Sequence, residues 1–190
     1  MTSEVDEQLW GELEEFFGRL GPWKWSRTEI EFGAVWNFCE AVEDANPVYW
    51  DEETAAASRF GRRIAPPHAL MTLNMGHWWA PDYVKEAERR QVEGQGDDPQ
   101  QHVMQILAKY GFGTATNVTR EEEYLKPFGP GDGRIRQASR YVDLSPIKQT
   151  KVGEGVFITS EIDFRTEHAD RLIARARNVL LMYNPEKPRE

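Results

Sequence analysis

The sequence predicts an α+β fold in which an antiparallel sheet wraps around one central helix. Four long segments after residue 113 show the period-two alternation or the β-rich composition of strands. The turns that separate these segments suit hairpins, so we expect the strands to be antiparallel. The segment at about residues 67–79 is apolar nearly all round a helix, so we expect it to lie inside the fold and to cover the sheet.

The N-terminal half of the sequence has the pattern of helices separated by turns. Residues 4–19 have the apolar spacing of an amphipathic helix, with acidic residues on the other side. A second helix is predicted over residues 34–45 and must stop before Pro47, because the residue that precedes a proline avoids the helical region. Asp51 is then a good N-cap for a short helix that closes at Gly61.

The C-terminal half has the pattern of a strand meander. Strands are predicted over residues 114–125, 133–146, 153–167 and 170–183. Residues at about 80–111 are polar and irregular, and we interpret them as an insertion in which two short helices flank a surface loop. No internal repeat is visible, so we divide the chain into an N-terminal helix, residues 1–22, and one domain, residues 23–190.

Composition and charge exclude several classes of function. The 190 residues are 39% hydrophobic and 29% charged, which fits one folded domain and argues against disorder. A net charge of -9 gives no electrostatic support for nucleic-acid binding. The acidic N-terminus and the absence of an apolar run near the roughly 20 residues of a membrane helix indicate a cytoplasmic protein without a membrane segment. The single cysteine, Cys39, excludes a disulfide framework and a cysteine-ligated metal site, and we expect no metal.

The stretch "EDANPVYWDEETAAASRF", residues 43–60, is the most informative part of the sequence. It places Asp44 and Asp51 around an Asx-Pro turn, with Tyr49 between them. A carboxylate fixed beside a tight turn suits acid/base chemistry. Asp44 and Asn46 can equally well cap a helix end and hold the turn, as such residues often do.

These residues resemble the signature of the MaoC-like (R)-specific enoyl-CoA hydratases, which reads D-x-N-P-x-H-x-D, then an alanine four residues on and a phenylalanine five further. Six positions match it in register: Asp44, Asn46, Pro47, Asp51, Ala55 and Phe60. The tail from "KVGEG" onward is similar to the last hairpin of the family's N-terminal, FAS1-like dehydratase branch. The chain is most similar to the MaoC-like subunit of heteromeric hydratases that act on steroid side-chain CoA thioesters. The resemblance implies a single hot-dog fold, a CoA thioester as substrate and no cofactor.

The resemblance also implies which groups the reaction needs. An Asp and a His at D-x-x-x-x-H spacing hold a water, and a backbone N–H at the start of the central helix donates to the thioester oxygen. Asp44 stands at the carboxylate position, but Tyr49 stands at the His position, and a phenol with a pKa of about 10 is a poor base at neutral pH. Pro66 and Pro67 stand where the family has His-Gly, and proline has no N–H to donate. We therefore predict a degenerate site, formed by Asp44, Asn46, Tyr49 and Pro67.

Other candidate residues lie outside the signature. His68 can replace the missing base by rotating in from the start of the helix, so Asp44 and His68 are the fallback catalytic pair. Lys148 and Lys151 are candidates for contact with CoA phosphates, although a solvated turn explains them as well. Trp78 and Trp79 suit either the core or the wall of an acyl pocket, and the sequence leaves this open.

The function that these features favour is a non-catalytic or accessory subunit of a heteromeric enoyl-CoA hydratase, a lyase of lipid metabolism. Such a subunit forms the acyl-CoA pocket for a bulky 2-enoyl-CoA, including a steroid side chain. Its partner is a smaller MaoC-like hot-dog subunit that carries Asp-x-x-x-x-His, in a heterodimer or a heterotetramer. Two alternatives stay open: a self-sufficient homodimeric hydratase or dehydratase that uses Asp44, and an acyl-CoA binding module without turnover.

Overall fold

The fold is that of a computed structural model, which describes residues 4–76 and 79–186. The helices are α1 Glu4–Leu13, α2 Phe32–Val42, α3 Pro47–Trp50, α4 Glu52–Ala57, α5 Leu70–Leu73, α6 Asp82–Glu93 and α7 Pro99–Lys109. The strands are β1 Lys24–Trp25, β2 Thr114–Tyr124, β3 Ile135–Leu144, β4 Lys148–Thr150, β5 Gly153–Thr166 and β6 Leu172–Asn184. Short 3-10 turns cover Glu14–Phe16, Pro67–Ala69 and His168–Asp170. Among the described residues, no helix is long and apolar enough to cross a membrane.

The strands form one antiparallel sheet in the order β1-β3-β5-β6-β2, with β4 paired to β5. The four long strands, β2, β3, β5 and β6, confirm the strands predicted from the alternation of the sequence. The short strand β4 was not predicted, because three residues carry too little alternation to indicate a strand. The α+β class and the antiparallel sheet are therefore confirmed.

Two apolar clusters cover different ends of the same face of the sheet. In the first cluster, α2, α3 and α5 pack over β5 and β6, where Phe164 and Ile173 are buried. In the second, α1 and α7 pack over Val156 and Met182 at the other end of these strands. The insertion was rightly predicted to hold two helices, but its second helix, α7, belongs to the core. The division into residues 1–22 and 23–190 stays a prediction, and Leu9 and Leu13 of α1 are buried in the second cluster.

The central helix is much shorter than the sequence predicts. Helical structure extends only over Pro67–Ala69 and Leu70–Leu73, and not to residue 79. Asn74 leaves the helix at φ -94° and ψ 3°, and asparagine and the glycine at position 76 both disfavour a helix interior. Met75 and Trp79, which follow this point, are not in the core, since they are 57% and 73% exposed. The sheet does not need a long central helix, because α7 and α1 cover its second half.

The two edges of the sheet differ in how they are protected. At β1, the side-chain amide of Gln95 accepts a hydrogen bond from the Trp23 N–H at 2.8 Å and donates one to the Trp23 carbonyl oxygen at 2.8 Å. The loop of the insertion therefore caps this edge in the way that a neighbouring strand would. Within the described residues, no strand pairs with the outer side of β2.

Candidate functional site

The Asx-Pro turn between α2 and α3 is held by its own side chains. The Asp44 carboxylate accepts the Asn46 N–H at 3.1 Å, and the Asn46 side chain accepts the Val48 N–H at 3.3 Å. Asn46 thus caps α3, whose first residue is Pro47. The Trp50 indole N–H closes the turn with a 2.8 Å hydrogen bond to the Asp44 carbonyl oxygen. The structure therefore confirms the turn and the cap that the sequence indicated.

Asp51 has the capping role that the sequence predicts. Its carboxylate accepts the Thr54 N–H at 2.8 Å at the start of α4. The hydrogen bonds with Thr54 lower the pKa of Asp51, because they favour the charged form of the carboxyl group. Its contribution is local to this helix terminus.

Tyr49, which stands at the His position of the family signature, is buried at 7% exposure. Burial raises the pKa of its phenol, and the nearby charge of Asp44 raises the pKa further. The Trp36 indole N–H fixes the backbone beside it by donating to the Tyr49 carbonyl oxygen at 3.1 Å. Tyr49 is therefore a neutral phenol at neutral pH and cannot take a proton from water.

Asp44 and Tyr49 do not line the same cavity. Asp44 borders a groove of about 510 Å³ together with Cys39 and Trp50. Tyr49 borders a separate cavity of about 420 Å³, whose wall includes Asn46 and Pro67. A water held by both groups needs one common space. Asp44 is near enough for its charge to raise the pKa of the Tyr49 phenol, but the two groups border different spaces.

The backbone at the family's oxyanion position offers few N–H groups. Pro66 and Pro67 have none, and the Ala65 N–H donates to the Phe128 carbonyl oxygen at 2.7 Å. The Ala69 N–H donates to the Pro66 carbonyl oxygen at 3.0 Å. Gly129 lies directly over this segment, since a Cβ on it would come within 2.8 Å of the Ile64 Cα. The N–H groups of Ala65 and Ala69 are therefore used within the chain, and the two prolines between them have none to donate.

His68, the fallback base, is exposed and lies beside Phe38. The two ring centroids are 5.1 Å apart, with an angle of 60° between the planes. His68 is not among the residues that line the groove of Asp44 or the cavity of Tyr49. The structure therefore does not bring Asp44 and His68 together at a common cavity.

The lysines proposed for CoA phosphates lie at the other end of the sheet. Lys148 pairs with Gly155 of β5, nine residues from Phe164, which belongs to the same core cluster as Tyr49. At about 3.3 Å per strand residue, this is a separation of about 30 Å along the strand. Lys148 and Lys151 are exposed, and their role stays a prediction.

Of the two tryptophans proposed for an acyl pocket, the structure describes only Trp79. Trp79 is 73% exposed, so it is not a core residue within this chain. Trp78 lies outside the described residues. Its role as a pocket residue therefore stays a prediction.

Two basic residues at the Tyr49 cavity were missed by the sequence reasoning. Arg59 and Lys126 border it from opposite parts of the chain. The Arg59 guanidinium carbon lies 4.8 Å from the centroid of the Phe60 ring. Arg59 and Lys126 are 67 positions apart, and no spacing pattern in the sequence predicts that two such distant residues border one cavity. Within the ranges 4–76 and 79–186, no group of three or more His, Cys, Asp or Glu side chains is arranged to hold a metal ion.

The comparisons with known proteins agree with the resemblance seen in the signature. Residues 22–105 match the family model of the FAS1-like dehydratase domain region. This match covers less than half of the chain. It contains the whole signature from Asp44 to Phe60 and ends within α7. The prediction of a MaoC-like chain of the FAS1-like branch is therefore confirmed.

Two curated proteins that this chain resembles are named as hydratase subunits. The chain is 28% identical over 92% of its length to a "Probable enoyl-CoA hydratase alpha subunit" of Thermomonospora curvata, of which it covers 52%. It is 23% identical over 84% of its length to the "3-oxo-4,17-pregnadiene-20-carboxyl-CoA hydratase alpha subunit" of Mycobacterium tuberculosis, of which it covers 47%. The chain spans about half the length of the curated relatives it matches.

Solved structures show that the chain has the hot-dog fold of MaoC-like proteins. A chain of the ChsH1-ChsH2 complex from Mycobacterium tuberculosis superposes with a TM-score of 0.74 and 21% identity, over 96% of this chain and 98% of that one. A MaoC-like dehydratase from Rhodospirillum rubrum superposes with a TM-score of 0.55 and 18% identity, over 91% of this chain and 97% of that one. The predicted fold class is therefore confirmed, with the shorter central helix as its difference.

Proposed function

We propose that this chain is a non-catalytic, accessory subunit of a heteromeric enoyl-CoA hydratase. The observation that carries the proposal is the separation of Asp44 and Tyr49 into two cavities. Because burial also keeps the Tyr49 phenol neutral, Asp44 and Tyr49 do not form a base that is directed at a bound water. The base and the oxyanion donor come from another chain.

The named relatives support a role within a complex. Both curated relatives are called alpha subunits of hydratases, and one similar structure is described as a complex of two proteins. The partner in this proposal is a smaller MaoC-like hot-dog subunit with an intact Asp-x-x-x-x-His. The two chains form a heterodimer or a heterotetramer in the cytoplasm.

The contribution of this chain to the proposed enzyme is part of the acyl pocket. Helical structure stops at Leu73, and the residues that follow expose apolar side chains. Met71 is 43%, Met75 57% and Trp79 73% exposed. A bulky apolar acyl group, such as a steroid side chain, is suited to cover these side chains, because exposed apolar residues favour contact with an apolar ligand.

The sheet edges support a docking direction for the partner. The side chain of Gln95 caps the backbone beside β1, whereas β2 offers 11 residues at the opposite edge. An unpaired edge strand favours the addition of a strand from another chain. The partner therefore docks along β2.

Co-expression tests the proposed function. The probe is the hot-dog chain encoded beside this one, provided that it carries Asp-x-x-x-x-His, and the substrates are crotonyl-CoA and a 2-enoyl-CoA with a ring-bearing acyl group. We expect hydration by the complex and none by this chain alone. Hydration by this chain alone at an ordinary enzymatic rate would instead support the self-sufficient enzyme. Binding of CoA thioesters without hydration in the complex would support the binding module.

A further inference from the structure

Strand β2 carries two acidic side chains without partners at the open edge of the sheet. Glu121 and Glu123 are exposed, and within the ranges 4–76 and 79–186 the structure shows no hydrogen bond or ion pair for either side chain. The side chains of a strand alternate between the two faces of its sheet. Since Ala174 and Ala176 of the neighbouring strand β6 face the core, Arg175 and Arg177 face away from it. Their register partners Glu123 and Glu121 lie on this same uncovered face.

Charges alternate in sign from strand to strand across this uncovered face. In one row, Arg140 of β3 pairs with Glu161 of β5 through a 2.8 Å ion pair, and Arg177 of β6 and Glu121 of β2 continue the row. In the next row, Asp163, Arg175 and Glu123 follow each other, with a 3.2 Å ion pair between the first two. Glu161 and Asp163 therefore form an acidic line on β5, Arg175 and Arg177 a basic line on β6, and Glu121 and Glu123 an acidic line on β2 at the open edge, whereas β3 contributes only Arg140.

The core-facing side of β2 is neutralised within the chain. Arg120 donates to Glu122 at 2.7 Å, and the Tyr124 hydroxyl donates to the other carboxylate oxygen of Glu122. Arg120 also donates to Asn178 at 3.0 Å. The three consecutive glutamates therefore differ in their partners. Glu122 is paired within the chain, whereas Glu121 and Glu123 expose their charges at the open edge of the sheet.

We infer that Glu121 and Glu123 select the partner of this chain by charge. The strand that docks on β2 carries two lysines or arginines at positions i and i+2, which face these two glutamates. A basic strand continues the alternation of sign across both rows, and directly opposed unlike charges stabilise neighbouring strands whereas like charges destabilise them. This inference rests on the proposed function, since it takes the partner to be the catalytic hot-dog subunit.

The same charges disfavour the pairing of two copies of this chain along β2. An antiparallel pairing centred on Glu122 sets Glu121 of one copy against Glu123 of the other. A pairing centred on Thr119 sets Glu121 against Asn117, which gives no attraction. The edge therefore favours a different, basic strand over its own copy, as a heteromer requires.

Charge reversal in the complex of this chain with its co-expressed catalytic chain tests the inference. The variant Glu121→Lys/Glu123→Lys is compared with Glu14→Lys/Glu15→Lys, which changes the net charge equally on exposed residues of the 3-10 turn after α1. We expect the Kd measured by calorimetry to rise about tenfold or more in the first variant and less than about twofold in the second. Thermal unfolding of each free variant verifies that it is folded.

A milder variant and a rescue complete the experiment. Glu121→Gln/Glu123→Gln should weaken binding less and reduce its dependence on salt, because it removes an attraction without adding a repulsion. In the lysine variant, changing one facing lysine or arginine of the partner to glutamate should restore the affinity. Equal affinities of the two lysine variants, in a complex that still hydrates its substrate, would overturn the inference and leave the proposed function standing. Absence of any complex would overturn both.

Discussion

The indole Nε1 of Trp50 donates a 2.8 Å hydrogen bond to the carbonyl oxygen of Asp44. This bond spans the turn that carries the family signature, and it uses the main-chain oxygen and not the carboxylate. The shape of the turn therefore depends on Trp50 and does not require Asp44 to act in catalysis.

Replacement of Trp50 should loosen the turn. We expect Trp50→Phe to lower the free energy of unfolding by about 1 kcal/mol, because the Asp44 carbonyl loses its indole donor. Urea unfolding measures this change. Trp79→Phe is the control, since Trp79 is 73% exposed, and should change the free energy by less than about 0.5 kcal/mol. Equal losses in the two variants would contradict a structural role for the hydrogen bond.

Removal of the Asp44 charge should leave the activity of the complex nearly intact. We expect Asp44→Asn to keep the rate of hydration within about threefold of the wild type, because Asp44 and Tyr49 line different cavities. The matched control is the Asp→Asn change in the Asp-x-x-x-x-His of the partner, which should lower kcat by about 100-fold or more. A comparable loss from Asp44→Asn would show that this carboxylate takes part in the reaction.

Local residue chemistry made much of this fold predictable. The alternation in β5 and β6 follows from one buried face, and it was visible in the sequence because the other face of the sheet is polar. Asp51 was identified as a cap because an acid at this position satisfies free N–H groups whatever surrounds the helix. The degenerate site stays a prediction, which rests on residue chemistry alone: Tyr49 has a phenol in place of an imidazole, and the amide nitrogen of Pro67 carries no hydrogen.

The parts that were not predictable depend on contacts between distant residues. An apolar run such as 67–79 indicates burial but not what buries it, and α7 takes over part of the sheet that a longer central helix would have covered. Tyr124 at the end of β2 and Phe128 in the loop after it line the cavity of Tyr49, although both lie 75 or more residues away from Tyr49 in the sequence. The open edge at β2 depends on strand order, which alternation within a strand does not encode.

Gly129 packs closely against the backbone of Ile64 and Ala65, and this contact gives a second test of packing. We expect Gly129→Ala to lower the free energy of unfolding by about 1–3 kcal/mol, because its Cβ would meet the Ile64 Cα at 2.8 Å and the Ala65 nitrogen at 3.0 Å. Urea unfolding is the measurement. Gly113→Ala is the control, because a Cβ at Gly113 meets nothing within 4 Å. An equal change in the free energy of unfolding in the two variants would show that the Ile64–Ala65 backbone can move away from the added Cβ without loss of stability.

The ion pair of Glu167 with Arg134 should make the free energy of unfolding depend on pH. Three hydrogen bonds from Arg134, at 2.9 Å and 3.3 Å from its guanidinium and 3.0 Å from its backbone N–H, lower the pKa of Glu167 to about 2 from its ordinary value of 4.5. A carboxyl group whose pKa is lower in the folded state binds more protons when unfolded. Its stabilisation is therefore complete above about pH 4.5 and is lost as the pH falls toward 2.

The variant Glu167→Gln isolates this contribution. We expect the difference in unfolding free energy between wild type and Glu167→Gln to be constant above about pH 5 and to shrink steadily between pH 4.5 and 2. Urea titrations at each pH measure it. In an Arg134→Gln background the same substitution should give a difference that depends less on pH, because the guanidinium is gone and only the backbone N–H of residue 134 still donates to the carboxylate. A difference that does not change with pH in the wild-type background would contradict the pairing, since only a coupled carboxylate ties unfolding to proton uptake in this range.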